Sequence, residues 1–518
     1  MSQVRRRLEP VAAAALGALQ TLALVYTQAW ALPLATLAWL VWRLDRATPA
    51  RAAWLGGCYG TAWLCAGVGW LYISMHRFGG LAAPLAAAAV LALSAALSLY
   101  LAAAAAAYAR WRRGAASDAA LFAALWLLAE LARGLIFTGF PWAASGYTQV
   151  DSPLAALAPW LGVYGIGALL AAAAAGAVQS MRSRGRAWAA LAVAGGVVAA
   201  AAAVAGAVPA GFTRASGELD VALLQTNVKQ DEKFAAERMP ETLAWVAREM
   251  LSARVDLVVA PETAVPLLPF QLKDFAPGYW ELLQAHFAAP GPGAQRAALL
   301  GVPLGDFERG YTNSAVGLSA GAEYRYDKWH LVPFGEFIPS GFRWFTELMN
   351  IPLGDFSRGV LRPPSFAVAG QRIGPNICYE DLFGEELARR FADAATAPTV
   401  LANISNMGWF GDSVAIAQHL NLSRMRTLEL QRPMLRATNT GATAAIDHRG
   451  VVTALLAPHT QGVLLARVQG RQGVTPFAWW AARWGLWPLI GVAGLVVLGA
   501  VRLRRFSPAA PAGPGARR

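Results

Sequence analysis

Long apolar runs separated by short polar segments fill the first 210 residues of the chain and return near its C-terminus. A helix needs about 20 residues to cross the ~30 Å hydrocarbon core of a bilayer. Eight runs predict membrane-spanning helices: Val11–Val25, Ala29–Val41, Trp54–Ile73, Leu81–Tyr108, Ala119–Ile136, Leu154–Val178, Ala187–Val208 and Trp479–Val501. The first two form one stretch too long for a single crossing, and Pro33 predicts a break within it.

Between Gly211 and Thr475 the pattern changes to short apolar runs, some of them alternating with polar positions. Leu219–Val228 and Val255–Thr263 are typical of buried strands, and Glu232–Leu251 between them favours a helix. Many strands with few helices indicate an α/β layered sandwich. The predicted segments are a membrane domain of about seven helices (1–210), the α/β domain (211–475), a last membrane helix (476–505) and a disordered tail (506–518).

The charge distribution supports this division. The chain of 518 residues is 56% hydrophobic and only 14% charged, against roughly 25% charged in soluble domains. Residues 211–475 contain 24 of the 44 Lys and Arg and 26 of the 31 Asp and Glu, so the net charge of +13 belongs to the membrane part. Strongly basic chains often bind nucleic acid, but here the basic residues form short clusters between apolar runs. We therefore expect no nucleic-acid partner.

Those basic clusters predict the orientation, because cytoplasmic loops of membrane proteins collect Lys and Arg. Alternate loops contain them: Arg5, Arg6 and Arg7; Arg43, Arg46 and Arg51; Arg110, Arg112 and Arg113; Arg182, Arg184 and Arg186; Arg502, Arg504 and Arg505. The opposite loops contain only Arg77 and Arg133. This alternation predicts seven crossings before the α/β domain and one after it. The domain is then extracytoplasmic, which in a bacterium means periplasmic, on a multi-pass inner-membrane protein.

Cys378 is the single cysteine of the predicted extracytoplasmic domain. In a compartment that favours disulfides it has no partner, so it is a free thiol that needs an explanation. No second cysteine or CxxC pair lies near it, and the histidines lack metal-ligand spacing, so we expect no metal site. Cys58 and Cys65, seven residues apart in an apolar run, are expected to pack as small hydrophobic residues.

Three chemically active residues each follow an apolar strand. Glu262 follows "DLVVAP", Lys328 ends the alternating "EYRYDK", and Cys378 follows "RIGPNI". Strand ends of α/β folds commonly form sites. Glu262 could then accept the thiol proton, Cys378 could attack a carbonyl, and Lys328 could stabilise the oxyanion. The same residues also fit a buried Glu262–Lys328 ion pair with Cys378 in the core.

Sequence blocks around these residues resemble a known family. "APETAVP", "YDKWHLVPFGEFIP" and "NICYEDLF" are similar to the three signature blocks of the carbon–nitrogen hydrolase, or nitrilase, superfamily. That resemblance implies an αββα sandwich with a Glu-Lys-Cys active site. "FTGFPWAASGY", "SNMGWFGDS" and "QHLNLSRMRTLELQRPMLRATNTG", with the flanking membrane runs, resemble the apolipoprotein N-acyltransferase family over nearly the whole chain.

The resemblance also implies roles for individual residues. Glu262 is expected as general base, Cys378 as nucleophile and Lys328 as stabiliser of the tetrahedral intermediate, with Glu336 and Glu380 supporting the site. The expected substrate-binding residues are Tyr379, Trp409, Phe234 and Trp142. Phe234 departs from the pattern, because the best-known members have tryptophan at that position.

The reaction implied by the resemblance has two steps and needs no cofactor. Cys378 takes an acyl chain from a phospholipid, expected to be phosphatidylethanolamine, and the resulting thioester acylates the α-amino group of a diacylglyceryl-modified apolipoprotein. One alternative is a membrane-tethered amidase or nitrilase that uses the same triad with water. Another is a transporter with an extracytoplasmic binding domain, which would leave Cys378 unexplained.

Overall fold

The computed structural model describes residues 3–505, except for 115, 185–195, 197–202, 204–210, 290–295, 322, 340 and 342–354. Its N-terminal part is helical, and the helices longer than ten residues there are α1 (Gln3–Gln20), α2 (Ala31–Leu44), α3 (Pro49–Val68), α4 (Ala83–Trp111), α5 (Ser117–Leu135) and α6 (Ala158–Arg184). The predicted run Ala187–Val208 lies almost entirely outside the described residues.

The predicted break in the first apolar stretch is present, but it lies before Pro33. The helix α1 ends at Gln20, short helical turns at Leu22–Val25 and Thr27–Ala29 follow, and α2 begins at Ala31. Pro33 is in the first turn of α2, where backbone N–H groups have no partner within the helix. Proline therefore costs no hydrogen bond at this position.

Among the described residues, five helical segments are long and apolar enough to cross a membrane: Arg7–Val25, Ala83–Trp111, Ser117–Thr138, Pro153–Arg182 and Trp487–Arg504. The helix α2 has only 14 residues, a length of about 21 Å. The helix α3 contains glycines and an arginine among its apolar residues, which lowers its overall hydrophobicity. The prediction of several membrane helices in the N-terminal part is confirmed, whereas eight crossings stay a prediction.

Small side chains allow α3 and α4 to approach closely. A Cβ added to Gly56 would lie 2.8 Å from the Cβ of Ala105, and one added to Gly60 would lie 2.9 Å from the Cβ of Ser98. Small residues are favoured where membrane helices pack tightly. The alanine-rich face of α4 therefore serves as the packing surface for α3.

The described residues of the second part of the chain form two six-stranded sheets. The first sheet consists of β1 (Thr213–Gln225), β2 (Leu257–Val259), β3 (Ala297–Asp306), β4 (Gly310–Leu318), β5 (Tyr324–Asp327) and β12 (Gly462–Gly473). The second consists of β6 (Phe366–Val368), β7 (Gln371–Ile377), β8 (Val400–Ser405), β9 (Met434–Thr438), β10 (Thr443–Ile446) and β11 (Val452–Leu456). The strand order is β12-β1-β2-β3-β4-β5 in the first sheet and β11-β10-β9-β8-β7-β6 in the second.

Helices cover the outer face of each sheet. They are α7 (Met239–Ser252), α8 (Pro269–Phe275), α9 (Tyr279–Ala288), α10 (Gly384–Ala388), α11 (Ala415–Leu430) and α12 (Pro476–Trp484), after which α13 (Trp487–Arg505) ends the described chain. One buried cluster, including Leu223 and Ile404, lies between the sheets. A second joins α7 and α9 to the first sheet, and a third joins α10, α11 and α12 to the second sheet. The predicted two-sheet sandwich is confirmed.

One predicted helix begins later than expected. The stretch Glu232–Leu251 is helical only from Met239, and the residues before it form turns. Pro240 lies in the first turn of α7, which is the part of a helix where proline is tolerated. The preceding segment is therefore a loop and not the first part of the helix.

Buried polar side chains join the α/β domain to the membrane part through α11. The Oε1 atom of Gln418 accepts hydrogen bonds from the indole N–H groups of Trp70 at 3.0 Å and Trp142 at 2.8 Å. Further along α11, the Glu429 carboxylate accepts the backbone N–H of Val163 at 2.7 Å. Buried donors of this kind are costly to leave unpaired. These bonds therefore fix the domain on the membrane helices.

We expect Gln418→Leu to weaken this junction. The apolar side chain removes the shared acceptor. The Trp70 indole N–H keeps its 3.0 Å hydrogen bond to the Gly67 carbonyl, whereas that of Trp142 is left buried without a partner among the described residues, at a cost of about 1–3 kcal/mol. Thermal unfolding in detergent, followed by tryptophan fluorescence, should show a lower midpoint than in the parent protein. Gln461→Leu changes an exposed glutamine of the same domain and serves as the control. Equal midpoints for the two variants would contradict this role of Gln418.

Candidate active site

Glu262 lies in the turn that follows β2. Its Oε1 atom accepts a hydrogen bond from the side-chain amide of Asn313 at 2.7 Å, and its Oε2 atom accepts the backbone N–H of Asn406 at 2.8 Å. This turn packs directly on β3 at Gly301, where an added Cβ would lie 2.7 Å from the Cα of Glu262 and closer still to the neighbouring backbone. Glycine at 301 therefore permits the approach that positions the carboxylate.

Lys328, at the end of β5, is 1% exposed. Its ammonium group donates to the Glu336 carboxylate, with N–O distances of 2.9 and 3.0 Å, and lies 3.7 Å from Glu262 Oε1. The Asn313 amide donates to Glu336 as well as to Glu262, at 2.7 Å in both cases. A buried ammonium needs this compensation by carboxylates. The two glutamates and the lysine therefore form one connected, buried charge cluster.

Cys378 begins the short 3-10 turn that follows β7, and its backbone has a φ of 53°. Non-glycine residues rarely adopt this left-handed conformation, which costs of order 1–3 kcal/mol and is typical of functional sites. Its carbonyl oxygen accepts hydrogen bonds from Asn403 Nδ2 at 3.3 Å and from His419 Nε2 at 3.2 Å. These two bonds hold the turn that presents the thiol.

Glu380 supports the site through the backbone and does not face the thiol. Its Oε1 atom accepts the backbone N–H groups of Trp329 at 2.8 Å and His330 at 3.2 Å. Its Oε2 atom accepts the Tyr326 hydroxyl at 2.6 Å and the Ile377 N–H at 2.7 Å. All four donors flank either Lys328 or Cys378. This carboxylate therefore fixes the two chain segments that contain those residues against each other.

The hydrogen bonds of His419 define its tautomer. Arg436 can only donate, so its contact at 3.1 Å makes His419 Nδ1 an acceptor. The proton then lies on Nε2, which donates to the Cys378 carbonyl. Burial, reinforced by the neighbouring Arg436 cation, lowers the pKa of His419 well below its usual value. His419 is therefore a neutral support and does not take part in proton transfer.

The thiol of Cys378 is protonated in the resting site. The surrounding protein removes solvent from the sulfur, although part of the residue remains exposed, and this desolvation raises its pKa. The charge of Glu262 raises the pKa further, and Lys328 opposes the rise. Burial alone would lower the pKa of Lys328, but Glu336 and Glu262 outweigh it and raise the pKa, so Lys328 stays charged. The arrangement suits removal of the thiol proton by a base during attack.

Two of the predicted substrate-binding residues are buried at the junction with the membrane part. The Tyr379 hydroxyl donates to the Gly139 carbonyl at 3.0 Å. The ring of Trp142 stacks on His419, with ring centroids 5.7 Å apart. The first contact connects the Cys378 turn directly to the loop that follows α5, and the second connects that loop to the histidine that bonds the Cys378 carbonyl. Their roles in substrate binding stay predictions.

The other two predicted substrate-binding residues lie on loops facing the helical turn Ser74–Phe78, which precedes α4. Trp409 makes an edge-on contact with Phe78 at 5.7 Å between centroids. Phe234 is 47% exposed, in a loop that Asp231 ties to Arg77 by a 2.9 Å ion pair. The structure therefore places aromatic side chains on two loops that bridge the α/β domain and the membrane part.

Several residues of the site were not predicted from the sequence. Asn313 bridges the two glutamates, Asn406 supplies a backbone donor, and the buried amine of Lys233 donates to the Glu262 carbonyl at 3.0 Å. Asn313 lies in a short polar stretch, Thr312–Ser314, in the middle of the strand β4, and this interruption of a buried strand was the available clue. Nothing in the local pattern around Lys233 distinguishes it from a surface lysine.

Two family models match separate parts of the chain. Residues 220–476 match the carbon–nitrogen hydrolase model. Residues 16–176 match the model of the apolipoprotein N-acyltransferase N-terminal domain. Fold and site thus define a membrane-attached protein with a carbon–nitrogen hydrolase domain.

Individual relatives identify the family within this class. An apolipoprotein N-acyltransferase of Verminephrobacter eiseniae is 53% identical, over 88% of this chain and 89% of its own length. One from Ralstonia nicotianae is 44% identical, over 98% of this chain and 95% of its own. The chain belongs to the apolipoprotein N-acyltransferase family. It is an acyltransferase of lipoprotein biosynthesis, and the resemblance predicted from its sequence blocks is confirmed.

We expect Asn313→Leu to slow acyl transfer by about 10- to 100-fold, because both glutamates lose the amide that orients them. The loss should fall on kcat, with KM for the phospholipid little changed, in an assay of acyl transfer to a lipopeptide. Thr312→Val, at the adjacent position of β4, removes a hydroxyl that contacts Ser314 and Asp327 instead of the glutamates. A similar loss in both variants would show that strand stability, and not carboxylate orientation, causes the effect.

Proposed function

We propose that this chain transfers a fatty acyl chain from a phospholipid to the N-terminus of a lipoprotein through a thioester on Cys378. The observation that supports this best is the grouping of Glu262, Lys328 and Glu336 around a protonated thiol, on a domain anchored to membrane helices. In this proposal, Cys378 is the nucleophile that carries the acyl group between the two lipid substrates.

In the first step, Glu262 takes the proton of Cys378 as the sulfur attacks an ester carbonyl of the phospholipid. Negative charge develops on the carbonyl oxygen, and the Lys328 ammonium, fixed in advance by Glu336, stabilises it. The proton on Glu262 then passes to the alcohol of the departing lysophospholipid. An acyl thioester remains on Cys378. Phosphatidylethanolamine is the donor we propose.

In the second step, the α-amino group of the diacylglyceryl-modified cysteine attacks the thioester and forms an amide. Water must be kept from the thioester until this acceptor arrives. The aromatic loops bearing Trp409 and Phe234 lie at the junction with the membrane part. We propose that they admit lipid chains and exclude water, with Tyr379 and Trp142 behind them.

The location we propose is the outer surface of the bacterial inner membrane, with the α/β domain in the periplasm. The basic clusters of the loops favour this orientation. Both lipid substrates are held in the same membrane leaflet, so an enzyme at that surface meets them by diffusion in two dimensions.

Intact-mass spectrometry tests the thioester. After incubation with phosphatidylethanolamine, the purified protein should gain the mass of one fatty acyl group, and hydroxylamine should remove it. Cys378→Ala is the control and should gain nothing, because it lacks the nucleophile. A folded parent protein that gains no acyl mass while releasing free fatty acid would support a hydrolase instead.

Cysteine labelling tests the orientation. In a background with the three native cysteines replaced by alanine, Ala320→Cys places a thiol on an exposed turn of the α/β domain, and Arg113→Cys places one in the exposed loop after α4. A membrane-impermeant maleimide added to spheroplasts should label the first and not the second. The reverse pattern would place the domain in the cytoplasm.

A further inference from the structure

A second lysine reaches the site from the loop before α7. Lys233 is 6% exposed, and its amine donates to the backbone carbonyl of Glu262 at 3.0 Å. This is its one hydrogen bond among the described residues, and in the same part of the chain no carboxylate oxygen lies within 4.0 Å of it. An ammonium ion has three donors. Two of them therefore have no partner in the part of the chain that the structure describes.

The two lysines of the site have opposite surroundings. Lys328 lies between two carboxylates and stays charged. Lys233 is desolvated to a similar degree but faces a neutral carbonyl, and desolvation without a counter-ion disfavours the charged form of an amine. The titratable groups that face it are Glu262 and Cys378. Burial lowers the pKa of Lys233 to about 8, with the charge of Glu262 opposing the shift.

The acceptor poses a problem of protonation that such an amine can solve. An α-amino group has a pKa of about 7.7–8.0, so near neutral pH most of it is ammonium and cannot attack. Glu262 is already needed to return a proton to the leaving sulfur of Cys378. Lys233 is neutral in a fraction of the molecules near neutral pH. In that form it would exchange a proton with the acceptor at little cost in free energy, because the two groups have similar pKa values.

We propose that Lys233 is the catalytic base that deprotonates the α-ammonium group of the lipoprotein acceptor. This inference rests on the proposed function and assigns one of its steps. The acceptor nitrogen gives one proton to Lys233 and attacks the thioester carbon, forming the C–N bond. The C–S bond breaks, and the leaving sulfur of Cys378 recovers the second nitrogen proton through Glu262. The amide keeps the third, and Lys233 later returns its proton to water.

The test measures the two half-reactions separately on the full-length protein in detergent with phospholipid. In Lys233→Arg, the side chain stays charged and cannot accept a proton. We expect thioester formation to proceed, while transfer to a diacylglyceryl lipopeptide at pH 7 falls by about 10²-fold. Lys233→Met should show the same pattern without the positive charge. Lys229→Met, at an exposed lysine of the same loop, is the control.

Two further readouts separate a base from a structural residue. Hydroxylamine is neutral at pH 7, so its reaction with the acyl-enzyme should be unaffected in Lys233→Arg. The defect toward the lipopeptide should shrink as pH rises from 7 to 9.5, because the free amine then forms without help.

The outcomes are distinct. Transfer to the lipopeptide at the parental rate in Lys233→Arg, an equal loss toward hydroxylamine, or a defect independent of pH would each overturn the assignment. Slower thioester formation in Lys233→Met but not in Lys233→Arg would assign the residue to stabilising the oxyanion instead. If the parent protein forms no thioester, the proposed function fails, and this inference fails with it.

Discussion

The active site depends on keeping one ammonium ion charged inside the protein. Lys328 is almost fully buried, and it remains charged only because Glu336 contacts it directly and Glu262 lies nearby. Asn313 donates to both glutamates and so fixes the distance between them. Removing Lys328 would leave two neighbouring carboxylates uncompensated in a poorly solvated place, and removing Glu336 would take from the ammonium the carboxylate that contacts it directly. Strands of both sheets end at this site, because β2 and β5 of the first sheet precede Glu262 and Lys328, and β7 of the second sheet precedes Cys378.

The membrane part contributes to the same arrangement through neutral hydrogen bonds. The turn at Cys378 is held from one side by His419, and Trp142 from the membrane part stacks on that imidazole. The Tyr379 hydroxyl reaches the Gly139 carbonyl in the loop after α5. The position of the nucleophile is therefore set by two structural units together. A carbon–nitrogen hydrolase domain without the membrane helices would lack half of these supports.

The sequence predicts the parts of this structure that depend on local pattern. Glu262, Lys328 and Cys378 stand out because each follows an apolar strand, and the two sheets follow from the strand-like runs. Long-range contacts are not encoded in this way. Lys233 was missed because its loop looks like the start of a helix, until Pro240 is seen to delay that start to Met239. The short helix α2 shows a similar limit. The composition of its apolar run is that of a membrane segment, but composition alone does not determine how the helix is placed in the bilayer.

Glu380 shows how narrowly one position can be specified. Both of its carboxylate oxygens accept backbone N–H groups. One oxygen accepts those of Trp329 and His330, and the other accepts that of Ile377. Glutamine has the same shape, but either orientation of its amide would turn an N–H donor toward a backbone donor. The position is thus closed to the substitution that is normally the mildest for glutamate. Sequence variation at 380 is restricted by hydrogen-bond polarity, independently of any role for this side chain in the reaction.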